Sequence, residues 1–117
     1  MSIDYVYLCK KDKMRRLVIF DLDGTLLYTL EDLMNSVNFS LDLFGYETKS
    51  LEEISSFVGN GVEHLMRRAL PNDISEDVFK NCYACFKDHY SKHCCEKTRP
   101  YDGILDTLKI LKSRGVK

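Results

Sequence analysis

Two aspartates, Asp21 and Asp23, stand one residue apart directly after the apolar run 17–20. On an extended backbone alternate side chains point to the same side, so both carboxylates would face one way. Two ionised carboxylates this close repel unless a hard cation such as Mg²⁺ neutralises them or one is protonated. Both conditions suit phosphoryl transfer, in which one carboxylate attacks phosphorus and the other carries a proton. An ordinary acidic turn after a strand is the alternative, because short motifs give many false matches.

The apolar run is the element that must position these acids. It has no alternation of apolar and polar residues, which predicts a strand, residues 17–22, buried on both faces in a parallel sheet. The acids would then lie at the carboxyl end of the strand, where open α/β sheets place their ligand sites. Gly24 permits a sharp turn there, and the hydroxyl of Thr25 can hold that turn by a local hydrogen bond.

The segment 20–26, with the sequence FDLDGTL, resembles the first motif, D-x-D-G-T, of the haloacid dehalogenase (HAD) superfamily. Two further segments resemble the phosphoglycolate phosphatase-like branch of that superfamily. They are the glycine loop 58–61 (VGNG) and the segment 99–105 (RPYDGIL), where the chain of these proteins returns to its core. The resemblance covers about residues 14–117 and favours the catalytic interpretation of the two acids over the acidic turn.

The resemblance implies a role for each residue of the first motif. Asp21 would be the nucleophile, and Asp23 would be the general acid and base. Mg²⁺ would be bound by the carboxylate of Asp21 and the backbone carbonyl of Asp23, while Gly24 and Thr25 would contact the substrate phosphate. Dehalogenases of the superfamily lack the second acid, and the P-type ion pumps carry lysine at the position of Leu22.

Helical periodicity predicts helices between the first motif and the return segment, and the resemblance implies that they form an inserted α-helical cap domain, residues 28–95. The resemblance implies that the glycine loop of this cap reaches over the active site, with backbone N–H groups at a helix N-terminus facing an anion. The candidate cap residues are Gly59, Asn60, Gly61 and Arg67. A plain turn between two helices, with Arg67 facing solvent, is the alternative.

We therefore expect an α/β fold with a HAD-like, Rossmann-type core, of which the first strand and one flanking helix are present. Residues 14–27 and 96–117 would form this partial core, and residues 1–13 would be an N-terminal extension. The serine or threonine, lysine and acidic motifs that complete HAD sites are absent after the return segment. This predicts that the chain is the N-terminal part of a larger protein, or is completed by a second chain, and that residues 1–117 alone are inactive.

The net charge, the apolar runs and the cysteines of the chain indicate which kinds of partner and compartment to expect. A net charge of −1 over 117 residues gives no sign of a nucleic-acid or anionic-membrane partner. No apolar run approaches the ~20 residues of a membrane span. The five cysteines form no disulfide-framework pattern, which indicates free thiols in a cytoplasmic protein.

Four possible zinc ligands share one edge of a predicted long helix: Cys82, Cys85, His89 and His93. The first and last of them are separated by ~16 Å of straight helix, so all four cannot bind one ion. Cysteines acting as small core residues are the favoured interpretation of this helix edge.

The function expected of the complete protein is Mg²⁺-dependent hydrolysis of a small phosphorylated metabolite through an aspartyl phosphate. A sugar-phosphate mutase or a nucleotidase of the same superfamily is the alternative among enzymes, because the cap selects the substrate. A truncated, non-catalytic binding module is the alternative from another class. A lysine and a paired-acid motif further along the reading frame would decide for an enzyme.

Overall fold

The structure of the chain is a computed structural model that describes residues 17–117. The predicted N-terminal extension, residues 1–13, lies outside the described residues. The chain divides into two compact units. The first unit contains the described residues up to Tyr28 together with Arg99–Lys117, and the second is Thr29–Thr98. The bounds predicted from the sequence, 28–95 for the cap and 14–27 with 96–117 for the core, remain a prediction.

The described residues form helices and two very short strands. In chain order these are β1 (Leu27–Tyr28), α1 (Leu30–Leu43), α2 (Leu51–Phe57), α3 (Val62–Ala69), α4 (Glu76–His93), β2 (Arg99–Pro100) and α5 (Ile104–Ser113). None of the helices in residues 17–117 combines the length and the apolar character needed to cross a membrane.

The second unit has a hydrophobic core to which each of its helices contributes. The buried core residues are Leu33, Val37 and Leu41 of α1, Ile54 of α2, Leu65, Met66 and Ala69 of α3, Leu70, and Phe79, Cys82 and Phe86 of α4. The spacing of three and four residues on α1 and α4 is the amphipathic pattern expected of helices that cover a core. Burial of this apolar surface is the main stabilising contribution to the unit.

Local capping signals fix where two of these helices begin. The Oγ of Ser50 accepts a hydrogen bond from the backbone N–H of Glu53, whose carboxylate accepts one from the N–H of Ser50, at 3.2 and 2.8 Å. This reciprocal pair is the capping box that the sequence predicts. The predicted cap of α4 is also formed, because the Oγ of Ser75 accepts a hydrogen bond from the N–H of Val78 at 3.3 Å.

The first unit contains an antiparallel pair of strands, β1 and β2. Leu27 lies opposite Pro100, and Tyr28 lies opposite Arg99. The ring of Tyr28 contacts Tyr101 edge to face, with centroids 5.9 Å apart, and the guanidinium of Arg99 lies 4.6 Å from the centroid of the Tyr28 ring. The pairing therefore joins the residue before the second unit in the chain to the residue after it.

The apolar run 17–22 is not a paired strand in the described structure, which differs from the prediction. Within residues 17–117, one backbone hydrogen bond joins this run to a distant segment, from the N–H of Val18 to the carbonyl of Lys117 at 2.8 Å. Leu17, Ile19 and Leu22 are 62%, 77% and 52% exposed. The physical reason is that a strand forms by hydrogen bonding to neighbouring strands, and the described residues supply none beside this segment. Helix α5 likewise has no buried residue.

Candidate active site

The predicted catalytic motif forms a tight loop at residues 22–27. The carbonyl of Leu22 accepts hydrogen bonds from the N–H groups of Leu26 and Leu27, both at 3.0 Å. The N–H of Gly24 donates across the loop to the carbonyl of Leu27 at 2.9 Å. Gly24 has φ +74°, in the left-handed region where a side chain would be strained. The sequence therefore forms the sharp turn that was predicted at Gly24.

The two acids flank this turn on exposed backbone. Asp21 precedes the loop, and Asp23 lies within it, where it forms an isolated bridge with Leu27. Both residues are exposed. No hydrogen bond or ion pair that the structure gives for residues 17–117 involves either carboxylate. Their oxygens are thus open to a ligand, as a nucleophile and a proton carrier must be.

The oxygen atoms that this loop offers are of the type that Mg²⁺ binds. The carboxylate of Asp21 and the carbonyl of Asp23 are hard donors, which Mg²⁺ prefers. Within residues 17–117, however, there is no group of three or more histidine, cysteine, aspartate or glutamate side chains that could hold a metal ion. These two donors therefore fit part of a Mg²⁺ site, and the ion would need further ligands from water, substrate or another segment.

The glycine loop of the second unit leads directly into α3. Gly59 has φ +121° and Gly61 has φ +85°, so both adopt backbone conformations that favour glycine. Gly61 is the N-cap residue of α3, and the loop residues Gly59, Asn60 and Gly61 are all exposed. The conformation explains why glycine occurs twice here. The role of this loop toward a substrate stays a prediction.

Arg67, the predicted cap residue, has several partners inside the second unit. Its guanidinium makes two hydrogen bonds to the carboxylate of Glu76, at 2.9 and 3.3 Å, and lies 3.2 Å from Glu63. It also lies 3.8 Å from the centroid of the Phe79 ring. The hydrogen bond to Glu76 is the main reason that the pKa of Arg67 is raised. Arg67 therefore ties α3 to α4, and a contact of Arg67 with substrate stays a prediction.

Asp32 is a buried acidic residue whose burial and hydrogen-bond partners could not be inferred from the sequence. Its acidic character in the first turn of α1 is expected from the helix dipole, but its side chain is only 1% exposed. Its carboxylate accepts hydrogen bonds from the backbone N–H groups of Lys97, at 2.9 Å, and Thr98, at 2.7 Å. No local signal predicts this contact, because the partners are 65 and 66 residues away.

The cysteine and histidine edge of α4 does not form a zinc site in the part of the chain that the structure describes. Cys82 is buried in the core. The Nδ1 of His89 lies 2.9 Å from the Oγ of Ser36, and its ring stacks on Phe39 with centroids 4.1 Å apart. Burial, with the neighbouring His93, lowers the pKa of His89. Cys82 is thus a core residue, as the favoured interpretation predicts, whereas Cys85 is only partly buried.

The sequence profile of one protein family, described as haloacid dehalogenase-like hydrolase, matches residues 18–117. This match includes both the D-L-D-G-T loop and the helical second unit. The chain belongs to the haloacid dehalogenase-like hydrolase family. The family and the HAD-like α/β fold class predicted from the first motif are confirmed.

The curated relatives that the chain matches include phosphoglycolate phosphatases. The phosphoglycolate phosphatase of Thiobacillus denitrificans is 35% identical over 103 residues, which cover 85% of this chain and 45% of that protein. Phosphoglycolate phosphatase 1 of Pseudomonas aeruginosa is 38% identical over 110 residues, covering 89% of this chain and 40% of that protein. The chain therefore spans less than half the length of these relatives.

A similar fold occurs in a crystal structure of a predicted phosphoglycolate phosphatase from Haemophilus somnus. The two chains align with a TM-score of 0.77 and 31% sequence identity. The alignment covers 81% of this chain and 45% of the other. The similarity of fold thus extends over most of the present chain and over about half of its structural relative.

Proposed function

We propose that the complete protein is a Mg²⁺-dependent, cytoplasmic phosphatase of a small phosphorylated metabolite, with phosphoglycolate as the first substrate to test. The observation that carries this proposal is the loop 21–25, which places two exposed aspartates around a left-handed glycine in a chain of the HAD-like hydrolase family. The names of the relatives in both comparisons support phosphoglycolate as the substrate.

The two aspartates would divide the reaction between them. An oxygen of the Asp21 carboxylate forms a bond to phosphorus while the bond from phosphorus to the leaving-group oxygen breaks. Asp23 gives its proton to that oxygen as it leaves. Asp23 then accepts a proton from water while the water oxygen bonds to phosphorus and the bond from phosphorus to Asp21 breaks, which releases inorganic phosphate and regenerates Asp21. The exposure of both side chains supports these roles, because each must reach a substrate.

The loop would also hold the cation and the phosphate. The Asp21 carboxylate and the Asp23 carbonyl would bind Mg²⁺, which, when bound, offsets the negative charge that repels an anionic nucleophile from a phosphate. Gly24 leaves the backbone of the turn uncovered, since nothing lies within 4 Å of the position that a Cβ would occupy. Thr25 would bind a phosphate oxygen through its hydroxyl, and Gly24 would let the phosphate approach the turn closely, since the N–H of Gly24 already donates to Leu27.

The glycine loop of the cap would select the substrate. Its residues Gly59, Asn60 and Gly61 are exposed and precede the N-terminus of α3, a place where backbone N–H groups can bind an anion. Arg67 would contribute mainly by fixing α3 against α4, because Glu63 and Glu76 already pair with its guanidinium. The identity of the metabolite would therefore depend on this loop more than on Arg67.

An assay of the complete protein with phosphoglycolate, a generic aryl phosphate and added Mg²⁺ tests the proposal. The Asp21→Asn variant should be inactive, and removal of Mg²⁺ with a chelator should also abolish turnover. Asp42→Asn is the matched control, because Asp42 is an exposed aspartate of α1 that has no part in the proposed site. Full turnover by Asp21→Asn, or equal loss in both variants, would contradict the proposal.

A further inference from the structure

Two neighbouring cysteines, Cys94 and Cys95, place their sulfur atoms close together. The two Sγ atoms are 3.7 Å apart, and both residues are free thiols. Cys95 is exposed and Cys94 is partly exposed, so neither residue lies in the core. This dithiol lies outside the loop 21–25 and has no part in the proposed phosphatase reaction.

The turn that carries the dithiol is fixed on both sides. Helix α4 ends at His93, and Cys94 is its C-cap residue. On the other side, the buried carboxylate of Asp32 binds the backbone N–H groups of Lys97 and Thr98. The positions of the two thiols are thus set by the end of a helix and by a buried hydrogen-bonded contact, which lowers the entropic cost of binding a ligand.

The separation of the sulfurs matches that of two thiolates on one tetrahedral ion. Zinc holds thiolates at about 2.3 Å with tetrahedral angles, which places two such sulfurs about 3.8 Å apart. A disulfide between these residues fits less well. Adjacent Cα atoms are about 3.8 Å apart, whereas disulfides usually join Cα atoms separated by roughly 4.4–6.8 Å. The geometry therefore favours chelation of an ion over oxidation of the pair.

Other side chains in the second unit do not complete a four-ligand site. The neighbours His93 and Glu96 pair with each other through Nδ1 and Oε1. Cys82 is buried in the core and its sulfur is inaccessible. The described residues contain no cluster of three or more metal-binding side chains. A bound ion would therefore keep water or a small added ligand in its remaining positions.

We propose that Cys94 and Cys95 form a two-thiolate site for a soft divalent cation of the Zn²⁺ and Cd²⁺ class. Thiolate sulfur is the ligand that such cations prefer. Binding displaces the two thiol protons, and each sulfur forms one bond to the ion. Because the two sulfurs act together, loss of either one should weaken binding far more than loss of an isolated thiol.

Titration of the 117-residue chain with Cd²⁺ under reducing conditions tests this site, with the ultraviolet thiolate-to-cadmium absorption as the readout. We expect one ion per chain, and affinity lower by about tenfold or more in Cys94→Ser and in Cys95→Ser. Cys85→Ser is the matched control, since Cys85 is another partly exposed thiol on α4, and it should bind as the unchanged chain does. Circular dichroism checks that all variants keep their helices.

The same titration can overturn the proposal. Wild-type affinity in either Cys94→Ser or Cys95→Ser would show that the pair does not act as a chelate. A loss in Cys85→Ser as large as in the other two variants would place the ion elsewhere on α4. No thiolate absorption at Cd²⁺ concentrations well above that of the protein would show that the dithiol does not bind such a cation.

Discussion

The carboxylate of Asp32 accepts a hydrogen bond of 2.7 Å from the backbone N–H of Thr98, which lies 66 residues further along the chain. The N–H of Lys97 donates to both oxygens of the same carboxylate, at 2.9 Å. Asp32 is in the first turn of α1, and Thr98 is the last residue of the second unit. This contact therefore holds the two chain ends of the helical unit together.

The contact predicts that Asp32→Asn destabilises the second unit. An amide lacks the negative charge that strengthens these hydrogen bonds, and its NH₂ group would replace one of the two oxygens to which the N–H of Lys97 donates. Loss of a hydrogen bond to a buried charged group costs about 1.5–3 kcal/mol. Urea unfolding of the second unit, followed by circular dichroism, should show this decrease, while the exposed Asp42→Asn should change the free energy of unfolding by less than about 0.5 kcal/mol. Equal stability of the two variants would refute the role of Asp32.

The same carboxylate predicts a dependence of stability on pH. Burial by itself raises the pKa of Asp32, but the hydrogen bonds from Lys97 and Thr98 outweigh it, so the pKa lies below the ordinary value of 3.8. A group whose pKa is lower in the folded state contributes stability that is present above its unfolded pKa and lost as pH falls through its folded pKa. The difference in unfolding free energy between the wild-type chain and Asp32→Asn should therefore be full at pH 6 and shrink below about pH 4. A difference that stays constant down to acid pH would contradict this assignment.

Local signals in the sequence predict the features of the structure that depend on neighbouring residues. The capping box of Ser50 and Glu53 and the sharp turn at Gly24 each involve residues within a few positions of one another, and both are present. The Asp32 contact could not be predicted, because its partners are brought close only by the folding of the whole unit. The segment 17–22 carries a clear strand pattern, but pairing depends on strands that the described residues do not supply.

The proposed role of Asp23 as general acid predicts that the effect of its substitution depends on the leaving group of the substrate. In the complete protein Asp23→Asn should lower turnover by about 10²–10⁴-fold for alkyl phosphates, because the variant cannot protonate the leaving oxygen. The loss should be smaller for aryl phosphates, whose leaving groups need less protonation. Steady-state rates with one substrate of each kind, compared with those of Asp42→Asn, measure this. Equal losses of turnover for alkyl and aryl phosphates would contradict the proposal that Asp23 is the general acid.

The present 117 residues are expected to show no significant phosphatase activity and no tight Mg²⁺ binding by themselves. Within residues 17–117 no group of three or more metal-binding side chains supplements Asp21 and the carbonyl of Asp23, and Mg²⁺ needs several oxygen ligands in near-octahedral geometry. The exposure of Leu17, Ile19 and Leu22 also leaves the segment before Asp21 with little packing to fix it. An aryl phosphate assay with Mg²⁺ and calorimetry with Mg²⁺ test these statements. Robust turnover that disappears in Asp21→Asn would contradict this prediction and show that the 117 residues assemble an active site, for example from two copies of the chain.

Direct detection of a phosphoryl group on Asp21 tests the central claim most directly. The complete protein is mixed with phosphoglycolate and Mg²⁺, quenched in acid during turnover, digested and examined by mass spectrometry. We predict that the peptide containing the loop 21–25 carries one phosphoryl group on Asp21, and that this group is absent in Asp21→Asn but present in Asp42→Asn. Turnover with the phosphoryl group on another residue, or with none on the protein at any quench time, would contradict the account.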